Sequence, residues 1–230
     1  MVYVTSDIHG NFNKYEKMLM LINFSEEDEL YVLGDVIDRG AEGVRILKDI
    51  MGRPNIHMLM GNHELMAVET LLAEDEEAEW ERLDLWKWNG GAGTYWDLMM
   101  LGTRERDRMV DFLVNLPASA EIEVNGQKFH LVHGFPANNL KDQMWGRPKL
   151  DTQNPFTDRK LIIGHTPVML FHGNTNRKIE KYICEMGKTG EHCKIEHAQG
   201  FIDIDCGCGT GYPEARLACI RLEDMEEFYV

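Results

Sequence analysis

Short apolar runs alternate with amphipathic stretches through the first half of the chain. The apolar runs have the length of buried strands and lie at residues 2–6, 29–33 and 56–60. Apolar residues recur at helical spacing over residues 12–21 and 42–51, and a third helix is predicted to begin near His63. This alternation predicts βαβ units with parallel strands.

The middle of the chain, residues 74–116, changes to a helical pattern that is rich in Trp and Met. Two adjacent glycines, Gly90 and Gly91, predict a break within it. We expect this stretch to form a helical cap beside a functional site. Its large apolar side chains are predicted to pack in the core or within the cap, and they are Trp80, Leu83, Trp86, Met99 and Met100.

The second half of the chain is richer in strand signals. Asn125-Gly126 separates two strand-like runs, residues 120–124 and 127–132, and predicts a two-residue β-hairpin. The polar stretch 172–199 is compatible with an extended hairpin or a loop. Further strands are predicted at residues 161–163, 200–205 and 216–222.

These elements predict an α/β (α+β) fold in which two packed mixed β-sheets are flanked by helices. The chain has 230 residues, of which 43% are hydrophobic and 27% charged, as in soluble globular proteins. We therefore expect a single catalytic domain over residues 1–230, with the helical cap at residues 74–116.

Charge and hydropathy narrow the range of partners. No apolar run is long enough to cross a bilayer, and no basic-then-apolar leader precedes the first strand, so we expect a cytoplasmic protein without membrane contact. The formal net charge of −15 counts against nucleic acid as a partner, because phosphate contacts dominate that affinity.

The five cysteines all lie near the end of the chain, from Cys184 onward. An odd number without a secretion signal predicts reduced thiols instead of a disulfide framework. A zinc site is the weaker alternative, because the spacing of its candidate ligands matches no strong pattern. Those candidates are Cys184, His192, Cys193 and His197.

Five of the strand-like runs stop at, or just before, a residue that can bind a metal ion. Side chains just past the ends of several strands converge on one crevice, where sheet proteins tend to bind ligands. Carboxylate, amide and imidazole donors without a thiolate favour Mn, Fe or Zn. The candidate ligands are Asp7, His9, Asp35, Asn62, His133 and His165.

Asp35 offers two carboxylate oxygens, enough to bridge two cations at the ~3.5–4 Å spacing of dinuclear hydrolases. Asp7 and His9 alternate around one residue, which places both on one face of an extended segment. The predicted partition puts Asp7, His9 and Asp35 on one metal. The second metal takes Asp35, Asn62, His133 and His165.

A water that bridges two such cations becomes hydroxide near neutral pH and can attack phosphorus. His63 follows Asn62, so it lies near the metals and is the candidate general acid, with Asp38 as its carboxylate partner. Arg39 and Arg147 are the candidate clamps on phosphate oxygens, with Asn62 as a further substrate contact. Two alternatives stay open: a surface ion pair of Asp38 with Arg39, and a structural Arg147 packed on Trp145.

These motifs resemble the PPP-type metallophosphoesterases, and most closely the short bacterial and phage serine/threonine protein phosphatases. The motifs are Asp7-Ile8-His9-Gly10, Gly34-Asp35-Val36-Ile37-Asp38-Arg39-Gly40, Gly61-Asn62-His63-Glu64, His133-Gly134 and Gly164-His165-Thr166-Pro167. The run from Phe201 to Gly207 also resembles the closing strand of that family.

The resemblance implies a calcineurin-like fold, a dinuclear site and hydrolysis of phosphomonoesters, with a phosphorylated protein or peptide as the substrate. It supports the ligand partition, the pairing of His63 with Asp38, and the roles of Arg39 and Arg147. Two divalent metal ions are expected, with Mn²⁺ preferred and Fe or Zn as alternatives. The chain is shorter than the eukaryotic catalytic subunits, so their regulatory surfaces are not assumed, and residues 172–199 match no part of the family.

The nearest alternative function is that of a diadenosine tetraphosphatase-type dinucleoside polyphosphate hydrolase. That group lacks the Asp-Arg pair that stands here as Asp38-Arg39, and its third motif ends with Asp where this chain has Glu64. A 2′,3′-cyclic phosphodiesterase or RNA phosphatase is less favoured by the acidic charge. A non-catalytic phosphoprotein-binding module is the alternative from another class, but every expected site position is filled.

Overall fold

The computed structural model describes residues 1–171 and 193–230. Its strands are β1 (Val2–Thr5), β2 (Glu29–Val32), β3 (Ile56–Met58), β4 (Ser119–Val124), β5 (Gln127–Val132), β6 (Lys160–Ile163), β7 (Glu196–His197), β8 (Ile202–Asp203), β9 (Ala218–Arg221) and β10 (Glu227–Tyr229). Its α-helices are α1 (Phe12–Leu21), α2 (Gly43–Met51), α3 (Asn62–Leu71), α4 (Glu76–Trp88), α5 (Ala92–Met100), α6 (Thr103–Val114) and α7 (Leu140–Trp145).

The strands form two mixed five-stranded sheets, as the sequence predicts. The first has the order β10-β9-β1-β2-β3, with β1, β2 and β3 parallel and β9 antiparallel to β1. The second has the order β4-β5-β6-β8-β7, with β5, β6 and β8 parallel. Parallel strands end at the same edge of their sheet, so the segments that follow β1, β2 and β3 emerge side by side.

The two sheets bury a shared apolar core between them. Val4 and Ile220 from the first sheet and Leu131 and Ile162 from the second belong to this inner cluster and are almost fully buried. A separate cluster covers the outer face of the first sheet, where Tyr3 meets side chains from the flanking helices. Burial on both faces explains why β1 and β6 read as almost continuous apolar runs.

The two-residue hairpin predicted at Asn125-Gly126 is confirmed and joins β4 to β5. Val124 pairs with Gln127, which leaves these two residues as the complete turn. Both have positive φ angles, 51° and 79°, as a type I′ turn requires. The asparagine and the glycine therefore set the register of this hairpin.

The stretch 74–116 folds into three helices, α4, α5 and α6, and the first break falls at Gly90-Gly91 as expected. Asp75 caps α4 by accepting the backbone N–H of Ala78 at 2.9 Å. The packing prediction holds for Leu83 and Trp86, which are buried, but it is wrong for Trp80 and Met100, which are 64% and 85% exposed. Helical spacing alone does not tell which face of a cap helix meets the rest of the protein.

Several elements are shorter than the sequence predicts, and others were not predicted. β8 and β9 are shorter than the predicted strands at 200–205 and 216–222. α7, β7 and β10 had no sequence signal strong enough to predict them. Among the described residues, no helix has the length and apolar character needed to cross a membrane.

Candidate functional site

The candidate ligands come from loops at the carboxyl ends of strands in both sheets. Asp7 and His9 follow β1, Asp35 follows β2, and Asn62 begins α3 after β3. His133 and His165 follow β5 and β6 in the second sheet. All six side chains are buried, with at most 5% of each residue exposed. The six residues that are scattered along the sequence therefore lie in one enclosed pocket.

Asp35 lies at the centre of this pocket. Its Oδ2 is 3.5 Å from Nε2 of His9, and its Oδ1 is 3.3 Å from Nε2 of His133. Two groups of ligand atoms, each lying within 4.8 Å of one another, share this carboxylate: His9, Asp35 and His63, and Asp35, His133 and His165. A carboxylate with one oxygen in each group is suited to bridging two cations.

Asp7 and Asn62 complete the pocket, each beside a different histidine ring. Asp7 Oδ1 is 3.9 Å from His9 Nε2, while its Oδ2 accepts the backbone N–H of His165 at 3.0 Å. Asn62 Oδ1 is 2.9 Å from His133 Nε2. Neither Asp7 nor Asn62 belongs to the two groups around Asp35, and His63 lies close enough to Asp35 to join the first, so the predicted partition of ligands stays a prediction.

Backbone carbonyls orient two of the imidazoles. His9 Nδ1 lies 3.0 Å from the carbonyl of Ile37, and His133 Nδ1 lies 2.9 Å from the carbonyl of Leu33. A carbonyl only accepts, so Nδ1 carries the proton and Nε2 presents its lone pair to the pocket. His165 Nε2 is buried and has no hydrogen-bond partner among the described residues, as expected of a donor aimed at a cation.

Burial keeps these imidazoles neutral. It lowers the pKa of His9 well below its ordinary value, with the Arg39 charge as the next cause. Burial also lowers the pKa of His165 and His133. Neutral imidazole is the form that binds metal, so the pocket favours the ligand state. Burial raises the pKa of the Asp35 carboxyl, and a cation bound beside it would reverse that shift.

The backbone around the site is strained. A positive φ is uncommon outside glycine and costs roughly 1–3 kcal/mol per residue. The prediction that Asp7 and His9 share one face of an extended segment is therefore wrong: β1 ends at Thr5, and both residues are left-handed. The site residues in this conformation are Asp7 (φ 54°), His9 (47°), Asp35 (52°), Asp38 (71°), Arg39 (63°) and His165 (67°).

A hydrogen-bonded pair lies beside the metal-ligand pocket. His63 Nδ1 is 2.6 Å from Asp38 Oδ2, and both side chains are fully buried. On the other side of the ring, Nε2 lies 3.1 Å from Nη2 of Arg39 and 3.8 Å from Asp35 Oδ2. Asp38 therefore orients an imidazole whose second nitrogen lies between Arg39 and Asp35.

Arg147 is exposed in the loop that follows α7. Its positive charge contributes to the lowered pKa values of His133 and His165, so it acts on the same pocket from the second sheet. The Trp145 ring meets His165 edge to face, with ring centroids 5.8 Å apart. Arg39 thus lies beside the pocket, and the predicted role of Arg147 as a clamp stays a prediction.

Three residues near the site were not among the predicted site residues. The carboxylate of Glu64 accepts backbone N–H groups from Asp35 and Val36 at 2.8 and 2.9 Å. Asp205 is buried after β8, and burial, followed by the charge of Asp7, raises its pKa well above the ordinary value. Its position at a strand end is the same signal that identified the ligands. The third residue is Trp86, whose indole contacts Asp38.

The structure tests only part of the prediction that the cysteines are reduced thiols. The described cysteines, Cys193, Cys206, Cys208 and Cys219, are free thiols. His197 is hydrogen-bonded to Glu227 at 2.7 Å. Cys184 and His192, the other members of the alternative zinc site, lie outside the described residues, as does most of the polar stretch 172–199.

The sequence profile of the calcineurin-like phosphoesterases matches residues 1–188. The chain belongs to this family of metal-dependent phosphoesterases, and its clustered His and Asp side chains fit the divalent metals that the family binds. This confirms the predicted family and fold class.

Its relatives include two kinds of enzyme. Serine/threonine-protein phosphatase 2 of Salmonella typhimurium is 26% identical over 65% of this chain and 69% of that protein. A symmetrical bis(5'-nucleosyl)-tetraphosphatase of Legionella pneumophila is 24% identical over 99% of this chain and 96% of that protein. The tetraphosphatase of Wigglesworthia glossinidia brevipalpis is 38% identical, but the match covers 27% of this chain and only 24% of that protein.

Solved structures confirm the fold. The crystal structure of a candidate diadenosine tetraphosphatase superposes with a TM-score of 0.63, at 14% identity, over 100% of this chain and 92% of the other. At this level of identity the likeness concerns the architecture alone.

Proposed function

We propose that the protein is a dinuclear metal-dependent phosphomonoesterase that removes phosphate from phosphoserine and phosphothreonine residues of proteins. The observation that carries the proposal is the position of the His63 imidazole, which is bonded to Asp38 at 2.6 Å and lies 3.1 Å from the Arg39 guanidinium. The imidazole and a phosphate-binding cation therefore lie side by side at the edge of the metal-ligand pocket. A guanidinium N–H only donates, so Nε2 accepts from Arg39 in this contact, and it becomes able to carry a proton when Arg39 turns to the phosphate.

The proposed metal ligands follow the two groups around Asp35. Asp7, His9 and Asp35 hold one cation, and Asp35, Asn62, His133 and His165 hold the other. Oxygen and nitrogen donors without thiolate suit Mn²⁺, our proposed native metal, and also accept Fe or Zn. Two divalent cations, when bound, supply an activated water as the nucleophile and neutralise charge on the phosphoryl oxygens.

The remaining groups act on the substrate. Arg39 presents a planar fork to two phosphoryl oxygens, and Arg147 binds the group from the second sheet. Asn62 is assigned in this proposal to both a metal and a phosphoryl oxygen. His63 keeps Nδ1–H on Asp38, and its Nε2–H protonates the leaving alkoxide, since a serine or threonine oxygen is a poor leaving group without a proton.

A phosphoprotein substrate is supported by Asp38-Arg39, by Glu64 in the third motif, and by the Salmonella relative. The second candidate is hydrolysis of dinucleoside tetraphosphates, which is favoured by the relative that matches 99% of this chain. Rates on a phosphoserine peptide and on diadenosine tetraphosphate, measured with Mn²⁺, distinguish the two. A higher kcat/KM on the nucleotide than on the peptide would contradict the protein phosphatase function and support tetraphosphatase activity instead.

The role of His63 is tested by His63→Asn, which keeps similar bulk but carries no transferable proton. We expect turnover of the phosphopeptide to fall about 100-fold or more, as for loss of a general acid, with two metals retained per chain. Elemental analysis is essential because His63 also lies near Asp35. Loss of one metal would make His63 a ligand, and near-normal turnover would remove it from the mechanism. His57→Asn, at a partly exposed histidine paired with Glu29, is the control.

A further inference from the structure

The corner between α4 and α5 holds the loop that carries Asp38 and Arg39. The backbone N–H of Arg39 donates to the carbonyl of Gly90 at 3.1 Å, and that of Asp38 donates to Thr94 Oγ1, also at 3.1 Å. Both loop residues are left-handed. Contacts from the cap therefore hold two strained residues that the chemistry uses.

The strongest of these contacts comes from a side chain. The indole N–H of Trp86 donates to Asp38 Oδ2 at 2.7 Å, and Trp86 is fully buried. The same oxygen accepts Nδ1–H of His63 at 2.6 Å. Asp38 Oδ1 has no hydrogen-bond partner among the described residues. The carboxylate is thus held through one oxygen by two donors, and the indole is the donor that does not take part in proton transfer.

The indole itself is confined. A Cβ on Gly91 would lie 2.1 Å from Trp86 Nε1, so the chain approaches the ring as closely as glycine permits. The Tyr95 ring packs against it edge to face, with centroids 6.1 Å apart. Close packing on both sides fixes the direction of the N–H, and this direction fixes the plane of the Asp38 carboxylate.

We propose that Trp86 is a positioning residue for proton transfer: its indole N–H holds Asp38 so that His63 presents Nε2 to the leaving oxygen. This inference rests on the proposed function, in which His63 is the general acid. Without the indole N–H, the buried carboxylate keeps one hydrogen bond and can rotate to seek another partner. His63 then loses its fixed orientation, although no group that touches the substrate has been removed.

Substrates with different leaving groups can distinguish a role of Trp86 in positioning the general acid from a general structural effect of its replacement. An alkyl phosphate leaves as a strongly basic alkoxide and depends on the acid, whereas p-nitrophenolate is a weak base and leaves without much help. Loss of a metal or displacement of an arginine would lower the rates on the alkyl phosphate and on p-nitrophenyl phosphate alike. Displacement of the general acid would lower only the rate on the alkyl phosphate.

The experiment replaces Trp86 in the full-length, Mn²⁺-loaded protein in two ways. Trp86→Phe removes the donor together with some volume, and 3-benzothienylalanine at position 86 exchanges N–H for sulfur with the ring shape kept. The second replacement avoids the cavity that could unfold the first. Trp80→Phe is the matched control, because Trp80 is on the same helix and is 64% exposed.

We expect kcat/KM on a phosphoserine peptide to fall about tenfold or more with either replacement, and that on p-nitrophenyl phosphate less than about threefold. Metal content should stay at two per chain, and Trp80→Phe should behave as the unaltered protein. In the His63→Asn background, replacing Trp86 should not lower kcat/KM any further, because the two residues act as one unit.

Equal losses on both substrates, or no loss with the isosteric ring, would overturn the positioning role. The leaving-group selectivity of His63→Asn alone reports on the proposed function. If His63→Asn lacks that selectivity, the general acid is wrong. If His63→Asn has it and the Trp86 variants do not, only the inference about Trp86 fails.

Discussion

The carboxylate of Glu64 accepts the backbone N–H of Asp35 at 2.8 Å, and this contact ties the first turn of α3 to the loop after β2. The two carboxylate oxygens also accept N–H groups of Gly61, Val36 and Ile37 at 2.9–3.3 Å. A fully buried side chain thus satisfies four backbone donors. Glu64 therefore shapes the loop that places Asp35 between the two groups of candidate metal ligands.

Glu64→Gln tests this supporting role. An amide has one acceptor oxygen and one NH₂ group, so one pair of backbone donors would face another donor. We expect the free energy of unfolding to fall by about 2–3 kcal/mol and Mn²⁺ affinity to fall 10–100-fold, roughly as for other residues that support ligands. Denaturant titration and calorimetry measure these quantities. Glu69→Gln, at an exposed position on the same helix, should change neither. Unchanged Mn²⁺ affinity in Glu64→Gln would contradict the role.

Asp35→Asn is expected to lose both metals, because the amide has one oxygen and no charge with which to bridge two cations. His165→Asn should lose only the metal on its own side of Asp35. Elemental analysis after dialysis gives the stoichiometry directly. His130→Asn, at a buried histidine of β5 whose Nδ1 lies 3.5 Å from Glu121, serves as the control and should keep two metals. Two metals retained in Asp35→Asn would show that the carboxylate does not bridge.

Gly209→Ala should disturb the first metal without replacing any ligand. Its Cβ would lie 2.0 Å from Cδ2 of His9, a distance that forces the imidazole to move. We expect a loss of about 1–3 kcal/mol in stability, as for other overpacked sites, together with weaker binding of one Mn²⁺. Thermal unfolding and calorimetry report the two effects.

Gly93→Ala is the matched glycine substitution. A Cβ at this position in α5 meets nothing within 4 Å, so the helix should gain about 0.5–1 kcal/mol with metal binding intact. If both glycine variants bind two Mn²⁺ equally well, the close approach of Gly209 to His9 is not needed for the site.

Alkaline pH should destabilise the protein through its buried thiols. Burial raises the pKa of Cys208 from 9.0 to about 12. Above pH 9 the unfolded chain releases this proton while the folded chain retains it, so stability is lost as pH rises through this window. For one thiol the slope is about 1.4 kcal/mol per pH unit.

The measurement compares free energies of unfolding of the reduced protein and of Cys208→Ala. Between about pH 8 and pH 10 the unaltered protein should lose about 1.4 kcal/mol more than the variant, because only it carries the titrating thiol. Parallel losses in the two proteins would mean that Cys208 does not govern this part of the pH dependence.

Much of the fold and of the site was accessible from residue patterns. The Asn125-Gly126 turn sets a hairpin through local backbone preference, and the break at Gly90-Gly91 has the same kind of cause. The polar residues after β1, β2, β5 and β6 were found because parallel strands deliver their ends to one edge. Local signals of this sort did not reveal which face of α4 is buried, nor how Asp7 and His9 turn after β1.

The sequence by itself determined the donor types, their order along the strands and the family to which the chain belongs, because these depend on residue identity and spacing. Only the tertiary structure decided how the site is held. Asp35 and Asp38 have a left-handed backbone, and the Glu64 carboxylate accepts hydrogen bonds from the loop that carries Asp35. Trp86 donates a hydrogen bond to Asp38, which is 48 residues away in the chain. Such contacts join segments that are distant in the chain. Their geometry is set when the two sheets and the cap pack together, and no local preference encodes it.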